Sequence, residues 1–349
     1  MSDAEQYFAS LLTEAQESGA SDLHMTVNSP PVLRIDGMLH RMDRDAASPA
    51  MLEEYARAIM NESQYNKFLD NGEVDFSYGV PGISRFRINV YRQRGSMCIA
   101  ARVISPTVPP FETLKLPPVL LKLAQKPQGL FLVTGPTGSG KSTTLASLID
   151  YVNKTQSKHI VTLEDPIEYL HRHGRSIVNQ REVGLDTHSF GNGLRAALRQ
   201  DPDIIMVGEM RDPETIRTAI TAAETGHLVF ATLHTADAPQ TIDRIIDAFP
   251  PEQQGQIRIQ LASVLIIVLS QRLLPARMGK GRLVATEVLL NTPAVSNLIR
   301  TEKVHQIKSV MQTNVQLGMH TLEMDIREML RQGTVDESAA REYLSEGQM

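Results

Sequence analysis

The order of apolar and polar residues predicts a small α+β unit in the first third of the chain. An apolar face with helical spacing runs through Met1–Gly19, and a second helical pattern covers Pro49–Leu69. Short alternating runs predict strands at Leu23–Val27, Val32–Ile35, Val74–Val80, Arg85–Val90 and Met97–Ile104. Helices and short strands mixed in this order are typical of an α+β domain.

The pattern further along predicts a parallel sheet with crossover helices. Apolar runs that alternate with helical patterns predict its strands at Phe131–Thr134, Ile160–Leu163, Ile204–Val207 and Leu228–Thr232. The apolar run Leu261–Leu269 predicts a buried helix, since it is under half the ~20 residues that span a bilayer. From Asn291 the chain is helix-rich, with stops at Gly318 and Gly333.

A proline-rich stretch separates the two patterns. Prolines recur through Ser105–Pro118, and each fixes φ and lacks an N–H, so we predict an extended linker. The predicted segments are an N-terminal domain, a linker, a core and a helical C-terminal region, at 1–104, 105–118, 119–290 and 291–349.

Composition and charge narrow the class of protein. A chain of 349 residues has the length of about two domains. Its formal net charge of −5 and the lack of a long Lys/Arg block argue against a nucleic-acid partner. Cys98 is the only cysteine, which excludes an internal disulfide and a cysteine-based zinc site, and we expect it to be buried. The N-terminus has no signal-peptide pattern, so we expect a cytoplasmic protein.

The residues after the strand Phe131–Thr134 match the phosphate-binding P-loop at every fixed position. In this loop the glycines let backbone N–H groups face phosphate at a helix N-terminus. We expect Lys141 to reach the β- and γ-phosphates and the Ser142 hydroxyl to bind Mg²⁺. The predicted ATP-binding residues are Gly135, Pro136, Thr137, Gly138, Ser139, Gly140, Lys141, Ser142 and Thr143.

Acidic residues follow two of the predicted strands. After Ile204–Val207 the position that usually carries an acid supporting Mg²⁺ is Gly208, and Glu209 comes one residue later. Either Glu209 serves the metal or the carboxylate comes from elsewhere. Glu164 and Asp165 end the strand Ile160–Leu163 and should face the same cleft, because parallel strands present ligands at their carboxyl ends. Asp165 has a structural alternative as the N-cap of a helix that begins at the next residue, a proline.

Histidines flank the strand Leu228–Thr232. His234 follows it, where a polar side chain can sense the γ-phosphate, and His227 precedes it. We predict a nucleotide contact for both, although a histidine is commonly a structural residue. His171 and His173 have metal-like spacing but lack a nearby cysteine or carboxylate partner, so we do not expect a metal there.

Arginines alternate with apolar residues in the predicted strands of the first domain, at Arg85, Arg87, Arg92, Arg94 and Arg102. A solvated strand face is the simple interpretation. The P-loop, however, has Lys141 but no obvious second cation for the γ-phosphate. A neighbouring subunit commonly supplies an arginine there, and we select Arg92 and Arg94 for that role.

Four motifs in order resemble the secretion-ATPase superfamily, and the chain as a whole resembles its type IV pilus retraction branch. The motifs are Gly135–Ser142, Glu164–Glu168, Gly208–Asp212 and Gly226–Thr235. The resemblance implies an α/β protein with a PAS-like N-terminal domain and a RecA-like core. It also implies a hexameric ring that hydrolyses ATP to retract a pilus, works at an inner-membrane platform protein and has a possible paralogous partner ATPase.

Two sequence features help to distinguish the retraction branch of the superfamily from its assembly ATPases. Assembly ATPases of the superfamily usually carry a four-cysteine zinc element, which this chain lacks. The segment Ala294–Thr301 resembles the signature Ala-Ile-Arg-Asn-Leu-Ile-Arg-Glu of the retraction branch, with Ser296 and Thr301 in place of Arg and Glu.

We therefore predict a motor in which Glu209 polarises the attacking water, with Glu164 as the alternative, and Ser142 and Glu209 hold Mg²⁺, with Glu164 possible. The competing hypotheses are a pilus-extension or secretion ATPase and a regulatory ring that binds ATP with little turnover. A nucleic-acid translocase is disfavoured by the acidic charge and the lack of interleaved aromatic and basic residues.

Overall fold

A computed structural model describes residues 2–35, 37–105, 107–277 and 281–344. The chain divides into two compact units. The first comprises the residues up to Thr107 together with Pro166–Leu170, and the second comprises Val108–Asp165 and the residues from His171 onward.

The first unit is an antiparallel sheet with helices packed against it. Its six strands lie in the order β3-β2-β1-β6-β5-β4, and helices α1 and α2 contact β6. The elements are α1 (Asp3–Glu17), β1 (Asp22–Met25), β2 (Val32–Ile35), β3 (Met38–Arg41), α2 (Pro49–Ile59), α3 (Glu62–Asn71), β4 (Glu73–Val80), β5 (Ser84–Gln93) and β6 (Ser96–Ile104). Alternating apolar residues of the strands and the apolar faces of the helices form one core, and Cys98 is buried as expected.

The helical pattern Pro49–Leu69 contains two helices, which corrects the single predicted one. Asn61 is the N-cap of the second helix. Its side chain accepts a hydrogen bond from the Gln64 N–H, and the Gln64 side chain accepts one from the Asn61 N–H. This reciprocal capping box satisfies two helix-end donors, so it favours a new helix start over continuation. The strand β3 was not predicted.

The second unit is built on a seven-stranded sheet in the order β13-β12-β7-β11-β10-β8-β9, parallel except for β13. The elements are α4 (Val119–Leu123), β7 (Gly129–Thr134), α5 (Lys141–Thr155), β8 (His159–Glu164), β9 (Ile177–Glu182), α6 (Phe190–Ala197), β10 (Ile204–Val207), α7 (Pro213–Glu224), β11 (Leu228–Leu233), α8 (Ala238–Asp247), α9 (Pro251–Val264), β12 (Leu265–Pro275), β13 (Arg282–Leu290), α10 (Pro293–Arg300), α11 (Ile307–Thr313), α12 (Leu322–Arg331) and α13 (Glu337–Arg341). Every residue of β7, β10 and β11 is buried, as expected for central parallel strands.

Two sequence predictions in this unit are wrong. The proline-rich stretch is not extended throughout, because Phe111–Leu114 forms a 3₁₀ turn and Phe111 and Leu116 pack in the core of the second unit. The run Leu261–Leu269 is not one helix: α9 ends at Val264 and the rest belongs to β12. No described helix is long and apolar enough to cross a membrane.

Candidate nucleotide site

The loop between β7 and α5 has the backbone of a phosphate-binding loop. Gly135, Gly138 and Gly140 have positive φ values of 143°, 77° and 89°. Such values favour glycine, since a Cβ is strained there. The N-terminus of α5 begins directly after the loop, and it has no side-chain cap. Its N–H groups are therefore suited to bind an anion.

Lys141 lies folded over the loop. Its Nζ donates to the carbonyl oxygens of Gly135 at 2.8 Å and Pro136 at 3.0 Å, and the side chain is buried. These hydrogen bonds hold the ammonium group of Lys141 against the glycine loop. A phosphate bound in the loop would contact it there. Ser142 and Thr143 follow in the first turn of α5, and Pro136, Thr137 and Ser139 complete the loop.

A residue that sequence reasoning missed, Gln271 of β12, contacts the same loop. Its side chain is buried; Nε2 donates to the Ser139 carbonyl at 2.7 Å, and Oε1 accepts from the Thr144 hydroxyl at 3.0 Å. The only signal for it was a glutamine within an apolar strand, which no motif identifies.

The ends of β10 and β11 bring two predicted site residues together. Glu209 Oε2 lies 3.4 Å from His234 Nε2, and Glu209 Oε1 lies 2.7 Å from Arg211 Nε. Burial raises the pKa of Glu209, but the hydrogen bond and charge of Arg211, with His234, outweigh it and hold the pKa below its usual value. The carboxylate is therefore ionised at neutral pH. Arg211 is a second residue that sequence reasoning did not assign.

Glu164 lies at the end of β8 and is buried. Its Oε1 accepts hydrogen bonds from the Thr162 hydroxyl at 2.6 Å and from Gln180 Nε2 at 3.0 Å. A Cβ at Gly208 would lie 3.1 Å from the Leu163 carbonyl oxygen and 3.4 Å from Glu164 Cα. The close approach of β8 leaves little room for a side chain at position 208. It also places Glu164 beside that position.

Asp165 is exposed directly after β8, and the structural alternative for it is wrong. Described residues Pro166–Leu170 form no helix, so Asp165 is no N-cap, and Tyr169 instead makes a β-bridge with Ser105. Asp165 remains a predicted site residue at the carboxyl end of β8, near enough to Arg211 to contribute to its electrostatic environment.

The structure does not bring His227 to the phosphate loop, which corrects its prediction as a nucleotide contact within one chain. His227 precedes β11, whose first residue pairs with Gly129 at the start of β7, so it lies at the opposite sheet edge from the loop after Thr134. Its Nδ1 lies 2.9 Å from the Ala222 carbonyl oxygen. His227 thus secures the turn between α7 and β11.

His171 and His173 differ in their surroundings. No three His, Cys, Asp or Glu side chains among the described residues are close enough to hold a metal ion. His173 Nδ1 accepts from the Val178 N–H at 3.1 Å, whereas burial lowers the pKa of His171 to about 4 against the opposing charge of Asp150.

The arginines of the first unit differ in their partners. Arg87 pairs with Asp75 at 3.7 Å, and Arg102 pairs with Asp22 at 2.9 Å. Arg92 and Arg94 are exposed and pair with no carboxylate in the described chain. Arg92 lies over the Phe68 ring at 5.3 Å, and Arg94 stands in the β5–β6 turn with a positive φ of 51°.

The available oxygen groups suit Mg²⁺. Magnesium prefers oxygen ligands and is usually held by one or two protein groups together with substrate phosphates, not by an all-protein cage. The Ser142 hydroxyl at the loop and the carboxylates of Glu209 and Glu164 at neighbouring strand ends are of that kind. The residues therefore fit this cofactor.

A strand, a glycine loop with a buried lysine and two strand-end carboxylates define a P-loop nucleotide-binding protein. Residues 2–344 match the Type II/IV secretion system protein family, and the chain belongs to it. The chain is 47% identical over 332 residues to the type IV pilus retraction ATPase PilT of Pseudomonas aeruginosa, covering 95% of this chain and 96% of that protein. It is 47% identical over 311 residues to a twitching motility protein of Neisseria gonorrhoeae, covering 89% and 83% of the two chains.

Its fold is similar to a crystal structure of the pilus retraction motor PilT with bound ADP. The TM-score is 0.90 at 49% identity, and 97% of each chain is covered. The predicted resemblance to pilus retraction ATPases is thereby confirmed, and so is the mixed α/β class with two sheets.

Proposed function

We propose that this protein is an ATP-hydrolysing motor that powers type IV pilus retraction and thereby twitching motility. The observation that carries this conclusion is the 47% identity to a retraction ATPase across 95% of the chain. The P-loop, the Glu209–His234 pair and Glu164 supply the groups that such an activity needs.

We assign the first domain, residues 1–104, a PAS-like fold and residues 119–290 a RecA-like core. Residues 105–118 link them, and 291–349 form the helical C-terminal region. Six subunits form a ring on the cytoplasmic face of the inner membrane, where the motor engages a platform protein and, in cells that have one, a paralogous ATPase. Nucleic acid is not a partner.

The chain's own residues suggest how hydrolysis proceeds. Loop N–H groups and Lys141 bind the β- and γ-phosphates. Ser142 with Glu209 or Glu164 would hold Mg²⁺, which would supply positive charge against the phosphates. The carboxylate of Glu209 accepts the proton of the attacking water, with Glu164 as the alternative base. His234, in contact with Glu209, responds to the γ-phosphate.

Arg92 and Arg94 supply the missing cations from the neighbouring subunit. An arginine stabilises the charge that develops on the phosphoryl group in the transition state. Both side chains are exposed and lack a carboxylate partner among the described residues, so they are available to an adjacent subunit.

A deletion strain tests the proposal. Loss of a retraction motor should increase surface pili and abolish twitching, and the wild-type gene should restore both. Lys141→Ala should not restore either, because it removes the P-loop cation. A bald deletion strain would instead indicate an extension ATPase, and complementation by Lys141→Ala would indicate a regulatory ring. Phosphate release by the purified protein separates the motor from a ring that hardly turns over.

A further inference from the structure

The two fixed glycines of the phosphate loop are both shaped by one residue of another strand. A Cβ at Gly135 would lie 2.5 Å from the Gln271 carbonyl oxygen, and a Cβ at Gly140 would lie 3.1 Å from Gln271 Nε2. Both glycines therefore approach Gln271 closely, and this residue is only 1% exposed.

The hydrogen bonds of Gln271 fix the orientation of its amide. The Ser139 carbonyl can only accept, so the Gln271 NH₂ must face it, at 2.7 Å. The amide oxygen then accepts from the Thr144 hydroxyl at 3.0 Å. One buried side chain thus joins the loop to the first turns of α5.

Holding the Ser139 carbonyl has a direct effect on the next N–H group. In a planar trans peptide the C=O of one residue and the N–H of the next point in opposite directions. Because Ser139 O points toward Gln271, the Gly140 N–H points away from β12. Backbone N–H groups of this loop are the ones that contact phosphate in P-loop proteins.

We propose that Gln271 is a positioning residue for phosphate binding, which fixes the peptide between Ser139 and Gly140 in its anion-binding orientation. This inference rests on the proposed nucleotide site. It assigns to β12 a part in binding the phosphate groups of the ligand, not its base or ribose.

Nucleotide titrations on Gln271→Met test this role. Methionine keeps the length of the side chain and removes both hydrogen bonds. Losing them should weaken ADP binding about tenfold, the effect of about one net hydrogen bond, and leave AMP binding within twofold, since the loop holds the β-phosphate. Thr144→Val should give a smaller loss, and the double variant should lose less than the sum of the two.

Ser270→Ala is the matched control. Ser270 is the buried neighbour of Gln271 on β12, but its hydroxyl contacts the Thr134 hydroxyl of β7, at 2.8 Å. It should lower stability without changing ADP affinity. A purely structural role for Gln271 predicts instead that its loss resembles Ser270→Ala, which would overturn the proposal.

Gln271→Glu provides a second variant if methionine prevents folding. An ionised glutamate accepts from Thr144 but cannot donate to Ser139, whereas a protonated glutamate can. The ADP affinity of this variant relative to wild type should therefore recover as the pH falls from 8 to 5.5. A constant ratio would contradict the proposal. If wild type bound no nucleotide at all, the proposed function would fail, whereas intact binding in all Gln271 variants would sink only this inference.

Discussion

Two carboxylates at neighbouring strand ends, Glu209 and Glu164, are the proposed candidates for the general base. Glu209 is ionised and contacts His234, while Glu164 is buried and hydrogen bonded to Thr162 and Gln180. The Arg211 contact that lowers the pKa of Glu209 also occupies one of its oxygens, so catalysis requires that Arg211 release it or that the other oxygen serve.

Glu209→Gln should keep ATP binding and lower turnover by a factor on the order of 10² or more, because loss of a general base costs that much. Phosphate release and binding of a fluorescent ATP analogue measure the two quantities. Glu164→Gln is the matched variant. Normal turnover in Glu209→Gln together with an inactive Glu164→Gln would assign the base to Glu164.

Burial of His171 should make the free energy of unfolding depend on pH. The pKa of His171 is about 4 in the folded chain and about 6.5 in the unfolded chain. Between these two pH values the unfolded chain binds a proton at His171 and the folded chain does not. The contribution of neutral His171 to the free energy of unfolding is therefore present above pH 6.5 and is lost as the pH falls toward 4. Between pH 7 and 5 the loss is roughly 2 kcal/mol.

Urea unfolding at several pH values measures this effect. His171→Leu should reduce the slope between pH 7 and 5, since leucine cannot bind the proton, and the part that remains belongs to groups such as His320, whose pKa is also lowered by burial. The exposed His305 offers the control variant His305→Gln, which should keep the wild-type slope. Equal slopes for wild type and His171→Leu would show that other groups carry the dependence.

At the scale of elements, helix α10 carries the segment that resembles the retraction-branch signature, and some residues of this segment are buried whereas others are exposed. Ile299 is fully buried in the core of the second unit, and Leu298 packs against the same core, whereas Asn297 is exposed. The Ser296 hydroxyl donates to the Ala262 carbonyl at 2.9 Å, so this departure from the signature is a satisfied buried residue.

Ile299→Ala should lower the free energy of unfolding by about 2–5 kcal/mol, the usual cost of emptying a buried aliphatic site. We expect ATPase activity to fall together with the melting temperature. Asn297→Ala on the exposed face is the control and should change neither by much. An Ile299→Ala protein with normal melting and defective retraction would mean that this residue acts on a partner instead.

Central strands were predictable from sequence, and the helix-to-strand change at Leu265 was not. The runs that became β7, β10 and β11 are short, apolar and bounded by breakers, whereas Leu261–Leu269 has no periodicity that distinguishes a buried helix from a buried strand. The end of α9 is set by distant residues: Asn291 and Ser296 both donate to the Ala262 carbonyl.

Some residues of the candidate site could also be placed from the sequence, and others could not. Glu209 and His234 could be placed together because carboxyl ends of parallel strands share an edge. Gln271 could not be found, since it enters from a strand that sequence did not predict. His227 was misplaced because flanking the same strand as His234 puts it at the other edge of the sheet.

At the scale of the whole molecule, the trans role that we propose for Arg92 and Arg94 predicts a ring. Repetition of one head-to-tail contact closes into a ring or continues as a filament. Arg92→Ala or Arg94→Ala should reduce turnover strongly while nucleotide affinity falls less, because the charge acts in the transition state. Arg87→Ala is the control, since Asp75 already pairs with that guanidinium.

Mixing two inactive proteins gives the decisive measurement. Rings that contain both Lys141→Ala and Arg92→Ala subunits have some interfaces with an intact loop facing an intact arginine, so part of the ATPase activity should return. Failure to recover despite demonstrated subunit exchange would exclude Arg92 as the trans residue, and the same test applies to Arg94.

The central position of β7 in its sheet bears on which part of the protein moves when ATP is hydrolysed or ADP is released. Strands β11 and β12 bond it on both sides, and all its residues are buried, so its amide protons should exchange with deuterium only when the whole unit opens. Glu209 and the exposed His234 instead stand in the loops that follow β10 and β11. We therefore expect the proposed phosphate site to be anchored to the part of the fold that opens last, and movement that follows a change of nucleotide to begin in the loops after β10 and β11.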